Sequence, residues 1–87
     1  MGFRKLRGVP LPEEKQGLIR YTCLTYDSQP PRTKRKIDRL IQDCGGEYAD
    51  ALRLVMLTRE SMTAIALRHH VSEETLYRAR RRFYLSW

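Results

Sequence analysis

The stretch that most constrains this chain lies between Pro30-Pro31 and Gly45-Gly46. Ile37, Leu40, Ile41 and Cys44 fall there at i, i+3, i+4 and i+7, the spacing of one side of an α-helix. Proline suits a first helical turn and glycine the position past the last, so both ends are marked. Arg35, Lys36 and Arg39 point away from the stripe. A helix with one apolar side needs other helices to cover it, and the rest of the chain supplies them. Tyr48, Ala51, Leu52 and Val55 share a face of a helix over 47–58. Leu54, Met56 and Leu57 widen its apolar arc, the pattern of a centrally buried helix. Ser61 is placed to cap a helix over 62–69, with Met62, Ile65, Ala66 and His69 on one side. Ser72 is placed to cap a last helix over 73–84, with Glu73 and Glu74 in its first turn and Leu76, Ala79 and Phe83 as the inward stripe. At 87 residues there is room for one core. The expectation is all-α, a small helical domain of four to five short helices.

The first 30 residues are less regular. Gly2, Gly8, Pro10 and Pro12 make residues 1–12 an irregular arm. Pro12-Glu13-Glu14 reads as a helix start, yet the run from Leu18 to Tyr26 (LIRYTCLTY) is rich in β-branched and aromatic residues, which favours a strand. No second strong strand is available to pair with it, so a helix over 13–26 is the preferred reading. The division is therefore an N-terminal arm over 1–30, carrying a helix or a strand, and a helical domain over 31–87.

The charge balance points to a polyanion. Lys and Arg number 17 against 10 Asp and Glu, a net +7. The cations gather at Arg4, Lys5 and Arg7, at Arg32 to Arg39, and at Arg78 to Arg82. The first cluster reads as a solvated tail. The basic start of the chain is followed by no apolar stretch of signal-peptide length, and no apolar run reaches the roughly 18–20 residues of a membrane span. The expectation is a cytoplasmic protein that does not enter a membrane. Cys23 and Cys44 suit a pair of thiols in a reducing compartment. With His69 and His70 they lack the spacing of a zinc site, so neither a metal nor another cofactor is expected. The chain contains no G-x-S-x-G, no Walker loop and no H-E-x-x-H, and its adjacent glutamates fit helix starts better than acid–base work. It does not read as an enzyme.

Met62–Arg82 carries the functional signal. Two short helices meet at a tight turn, the arrangement of a C-terminal helix-turn-helix whose second helix, 73–84, lies in the major groove of double-stranded DNA. Ala66 sits where the helices cross, and Ile65, Val71 and Leu76 fill the wedge between them. The turn position often held by glycine is His70, one of the better substitutes for a left-handed conformation. On the outward face, Arg78 and Arg81 suit bidentate contacts to guanine. The alternatives for each are a phosphate contact or a solvated face. Tyr77 suits a phosphate, a thymine methyl or a partly buried position. Glu74 suits cytosine N4 or the helix dipole. Thr63 and Arg82 are expected on phosphates, and Lys34, Arg35 and Lys36, with Arg39, as a second strip along the backbone. Arg80 falls closer to the packed side.

Ile65-Ala66, Val71-Ser72, Tyr77-Arg78 and Phe83-Tyr84 also carry a resemblance. Over residues 37–84 the chain resembles small phage transcription regulators of the ArpU and RinA type, with a sigma-70 region 4-like helix-turn-helix. The resemblance implies a phage- or mobile-element-derived activator or repressor acting at a promoter, with RNA polymerase as a further partner. Two other readings stay open. One is a DNA-binding adaptor of phage packaging, of the small-terminase type, or of transposition, working through homo-oligomers. The other is a protein-interaction module without a nucleic-acid role, anchored by the apolar tail Phe83-Tyr84-Leu85-Ser86-Trp87.

Overall fold

A central helix organises the molecule. The computed structural model describes Leu6 and residues 8–87. These residues form five α-helices: α1 (Glu13–Leu24), α2 (Pro31–Gly45), α3 (Ala49–Leu57), α4 (Met62–His69) and α5 (Glu73–Ser86). Short 3-10 turns lie at Tyr26–Ser28 and Gly46–Tyr48, and the described residues contain no strand. The fold is all-α. The expected tail Arg4, Lys5 and Arg7 lies outside the described residues.

Helix α3 touches each of the other four helices. Its Ala51, Leu52, Val55 and Met56 are buried, while Leu54 and Leu57 are half-buried against the same core. Around it close Ile37, Leu40, Ile41 and Cys44 of α2, Ile65 and Ala66 of α4, and Leu76, Ala79, Phe83 and Tyr84 of α5. Each large side chain taken out of water contributes roughly 1.5–3 kcal/mol. Helix α2 passes into α3 through two glycines with different tasks. Gly46 holds φ at +55°, a left-handed conformation that L side chains rarely adopt. A Cβ at Gly45 would stand 3.3 Å from Leu52 Cδ2 and 3.4 Å from the Ala49 Cβ, so a missing side chain lets α3 begin close against the end of α2.

The ambiguous segment is helical, and its threonines explain how. The hydroxyls of Thr22 and Thr25 donate to the carbonyls of Leu18 and Tyr21, both at 2.7 Å, one helical turn back. Ile19 and Cys23 of α1 are fully buried in the same core as the later helices. Both cysteines are free thiols, and burial pushes Cys23 up to about 12.

Three polar side chains tie elements together. Arg20 of α1 donates to the carbonyls of Val55 at 2.6 Å, Met56 at 2.9 Å and Thr58 at 2.9 Å, closing the C-terminal end of α3. Arg82 of α5 donates to the Cys44 carbonyl at 3.0 Å, serving α2 in the same way. Gln16 is fully buried. Its Oε1 accepts from the Leu6 amide at 2.9 Å, and its Nε2 donates to the carbonyls of Val9 at 3.1 Å and Leu11 at 3.0 Å. That one side chain folds the segment before α1 onto the bundle, where Val9 is buried.

Candidate nucleic-acid interface

Helices α4 and α5 are joined by His70, Val71 and Ser72. Both begin on serine caps, as their positions predict. Ser61 Oγ accepts from the Ala64 amide and Ser72 Oγ from the Thr75 amide, each at 3.1 Å. The end of α4 is closed by two backbone bonds. The Val71 amide donates to the Ala66 carbonyl at 3.1 Å and the His70 amide to the Leu67 carbonyl at 3.3 Å. This is the pairing of a Schellman motif, with His70 at the left-handed position, φ 54° and ψ 45°. Val71 then packs on the core, so the turn is fixed by hydrogen bonds and by apolar contact.

Helix α5 is divided sharply. Leu76, Ala79, Phe83 and Tyr84 are buried, while Glu74, Tyr77, Arg78, Arg81 and Arg82 are exposed. Arg78 and Glu74 form an i,i+4 ion pair at 2.9 Å, with side chains 72% and 74% exposed. A pair so open to water contributes little to stability and can be exchanged for another partner. Arg81 Nε donates to the Gly8 carbonyl at 2.6 Å, so the segment folded down by Gln16 runs beside α5. Tyr77 lies on the same flank, with the Arg80 guanidinium 5.0 Å from its ring centroid. Arg80 itself is half-buried, and burial lowers its pKa.

The structure brings Glu74, Tyr77, Arg78 and Arg81 together on one face and places Arg82 at its edge, toward α2. Thr63 is exposed in the first turn of α4, where its hydroxyl donates to Glu73 Oε2 at 3.2 Å. The strip on α2 has a different composition from the expected one. Successive residues of a helix turn by about 100°, so Lys34 and Lys36 cannot share a side. The Lys34 ammonium stands 5.6 Å from the Tyr26 ring centroid, over the ring that Arg53 also covers. Arg32, Arg35, Lys36 and Arg39 share the exposed side opposite the apolar stripe. Lys36 reaches the Trp87 ring at 4.2 Å. Lys36 and Arg82 are both exposed and both bridge from one helix to the other, so the basic sides of α2 and α5 adjoin along a common seam.

Gln16, Gly8 and Val9 escaped the sequence reading. The available signal was Gln16 at the head of the series Gln16, Ile19, Cys23, a polar residue in register with a buried stripe. The described residues hold no cluster of three or more His, Cys, Asp or Glu, and no described helix is long and apolar enough to cross a membrane. Comparison with protein-family models, with curated proteins and with solved structures found no match to this chain.

Proposed function

We propose that the chain is a DNA-binding transcriptional regulator whose α4–turn–α5 unit works as a helix-turn-helix, with α5 read into the major groove. The observation that carries the reading is the arginine face of α5. Leu76, Ala79 and Phe83 anchor its reverse, and the Ser72 cap starts it at a defined point. Arg78 and Arg81 are held in place by an exposed carboxylate and a backbone carbonyl rather than sealed beneath other segments. A guanidinium so presented can take guanine O6 and N7 at once. The α2 side supplies Arg35 and Lys36 for phosphates, which need charge more than geometry. Origin from a phage or mobile element, and contact with RNA polymerase, belong to the same proposal through the resemblance over residues 37–84.

The apolar tail favours this reading over a protein-interaction module. Phe83 and Tyr84 are buried, and Trp87 is half-buried with its ring 6.0 Å from that of Phe83, which leaves Leu85 as the exposed apolar side chain of the tail. Packaging and transposition adaptors use the same helix pair, and solution mass separates them, since a large ring favours packaging.

The test is selection of bound sequences from a random duplex pool, followed by titration against salt. The expected result is an enriched site whose affinity falls about 5- to 150-fold in Arg78→Ala, with a much smaller loss on random duplex. Equal loss on both duplexes reduces Arg78 to a phosphate contact. Absence of binding at low salt overturns the reading.

A further inference from the structure

A second concentration of positive charge lies in a cleft of the bundle, reached from the inner side of α5. Leu76, Arg80 and Tyr84 follow one another at i, i+4 and i+8 along the inner side of α5. Arg80 and Tyr84 there form one wall of a cleft of about 160 Å³, with Arg20 of α1 opposite and Val55 and Met62 as apolar lining. Two half-buried guanidinium groups therefore line the same small space. Burial lowers the pKa of both, and the Arg20 charge lowers that of Arg80 further. Neither forms an ion pair among the described residues. Arg20 is held at its post by three carbonyls, whereas Arg80 donates no hydrogen bond to the described residues. The one carboxylate on the rim, Glu60, is engaged by Arg68 at 2.6 Å. Like charges brought together out of bulk water cost stability unless a counter-ion joins them.

We propose that this cleft, walled by Arg20, Arg80 and Tyr84, binds a compact dianion of the phosphate type. At about 160 Å³ the cleft has room for a tetrahedral oxyanion. Two cationic groups match two negative charges. The fork of Arg80 supplies paired N–H donors, and the Tyr84 hydroxyl a third kind. A small phosphorylated metabolite and free phosphate share this chemistry.

The inference does not depend on how α5 is used, and its primary titration needs no nucleic acid. Sodium phosphate is titrated into the full chain at constant ionic strength, with sodium chloride as the control, while the guanidinium Nε–Hε resonances of Arg20 and Arg80 are followed by NMR. The expected result is a saturable one-to-one shift with phosphate alone. Arg80→Gln should weaken it about tenfold or more, and the pair Arg78→Ala with Arg81→Ala should leave it within about twofold. In phosphate-free buffer Arg80→Gln should also melt higher than the parent, because a like charge has left the cleft. Arg80→Lys keeps the charge and the stem without the fork and serves where Arg80→Gln does not fold. Its expected loss of affinity is intermediate. Addition of a short duplex to the phosphate-saturated protein separates the sources: retained resonances assign the site to small phosphates, and displaced ones to a nucleic-acid backbone. A shift that never saturates, unchanged affinity in Arg80→Gln, or loss in the Arg78–Arg81 variant overturns the proposal.

Discussion

His70 is the one non-glycine residue with positive φ among the described residues, and it stands at the joint on which the candidate interface depends. An L residue in this conformation costs roughly 1–2 kcal/mol, and glycine escapes most of that cost while losing more entropy on folding. His70→Gly is therefore expected to stabilise the fold by about 0.5–1 kcal/mol, read as a higher urea midpoint with an unchanged slope. A lower midpoint would mean that the imidazole makes a contact of its own. The need for a left-handed residue here was legible, because a short helix, a turn and a serine cap follow in order. The Schellman bonds were not, since they depend on backbone geometry that many residues can adopt. Gln16 was hidden for a related reason. A glutamine normally reads as surface, and only the arm folding back gives its amide three backbone partners.

At the scale of elements, caps and stripes were the readable part. The stripes of α2 and α5 and the two serine caps emerge from spacing alone because those helices bury one side each. Helix α1 buries Gln16, Ile19 and Cys23 while exposing Leu18 and Tyr21, so its apolar residues encircle it and blur the period. Its threonines added a strand-like composition that back-bonding to the previous turn neutralises. The segment before α1 is held by the three bonds of Gln16, by the buried Val9 and by Arg81 on the Gly8 carbonyl. Gln16→Leu keeps the volume and removes the three bonds, leaving the Leu6 amide and the Val9 and Leu11 carbonyls without their partner. The expected cost is about 1–3 kcal/mol in chemical denaturation, with faster amide exchange at Leu6 and Val9. Unchanged exchange there would show that apolar contact by Val9 suffices. The same variant frees the Gly8 carbonyl from Arg81, so it also reports whether that bond orders the face of α5.

For the whole molecule, buried acids set an alkaline limit. Cys23, Cys44 and Tyr84 all titrate above their ordinary values, chiefly because burial disfavours the ionised form. A neutral acid favoured in the fold but free to ionise once unfolded leaves stability intact below its unfolded pKa. Stability is then lost as pH climbs toward the folded value. For Cys23 that window runs from about 9 to about 12. Urea midpoints are expected to be flat to pH 8 and to fall above pH 9, by up to about 1.4 kcal/mol per pH unit for each such group. Cys23→Ala should lower the neutral plateau and make the alkaline fall shallower. A parent profile level through pH 10.5 would contradict the burial of these groups.

The surplus of cations is likewise divided between tasks. Arg20 and Arg82 close helix ends, Arg53 pairs with Asp38 and Arg68 with Glu60. The formal charge thus overstates what is idle at the surface. Arg82 has the more consequential post, because the guanidinium at the rim of α5 is also the lid on the last turn of α2. An incoming anion that recruits Arg82 uncovers the Cys44 carbonyl, and the frayed turn records the visit. Occupancy of one helix would then be audible as loosening in another, through a single side chain that cannot be in both places.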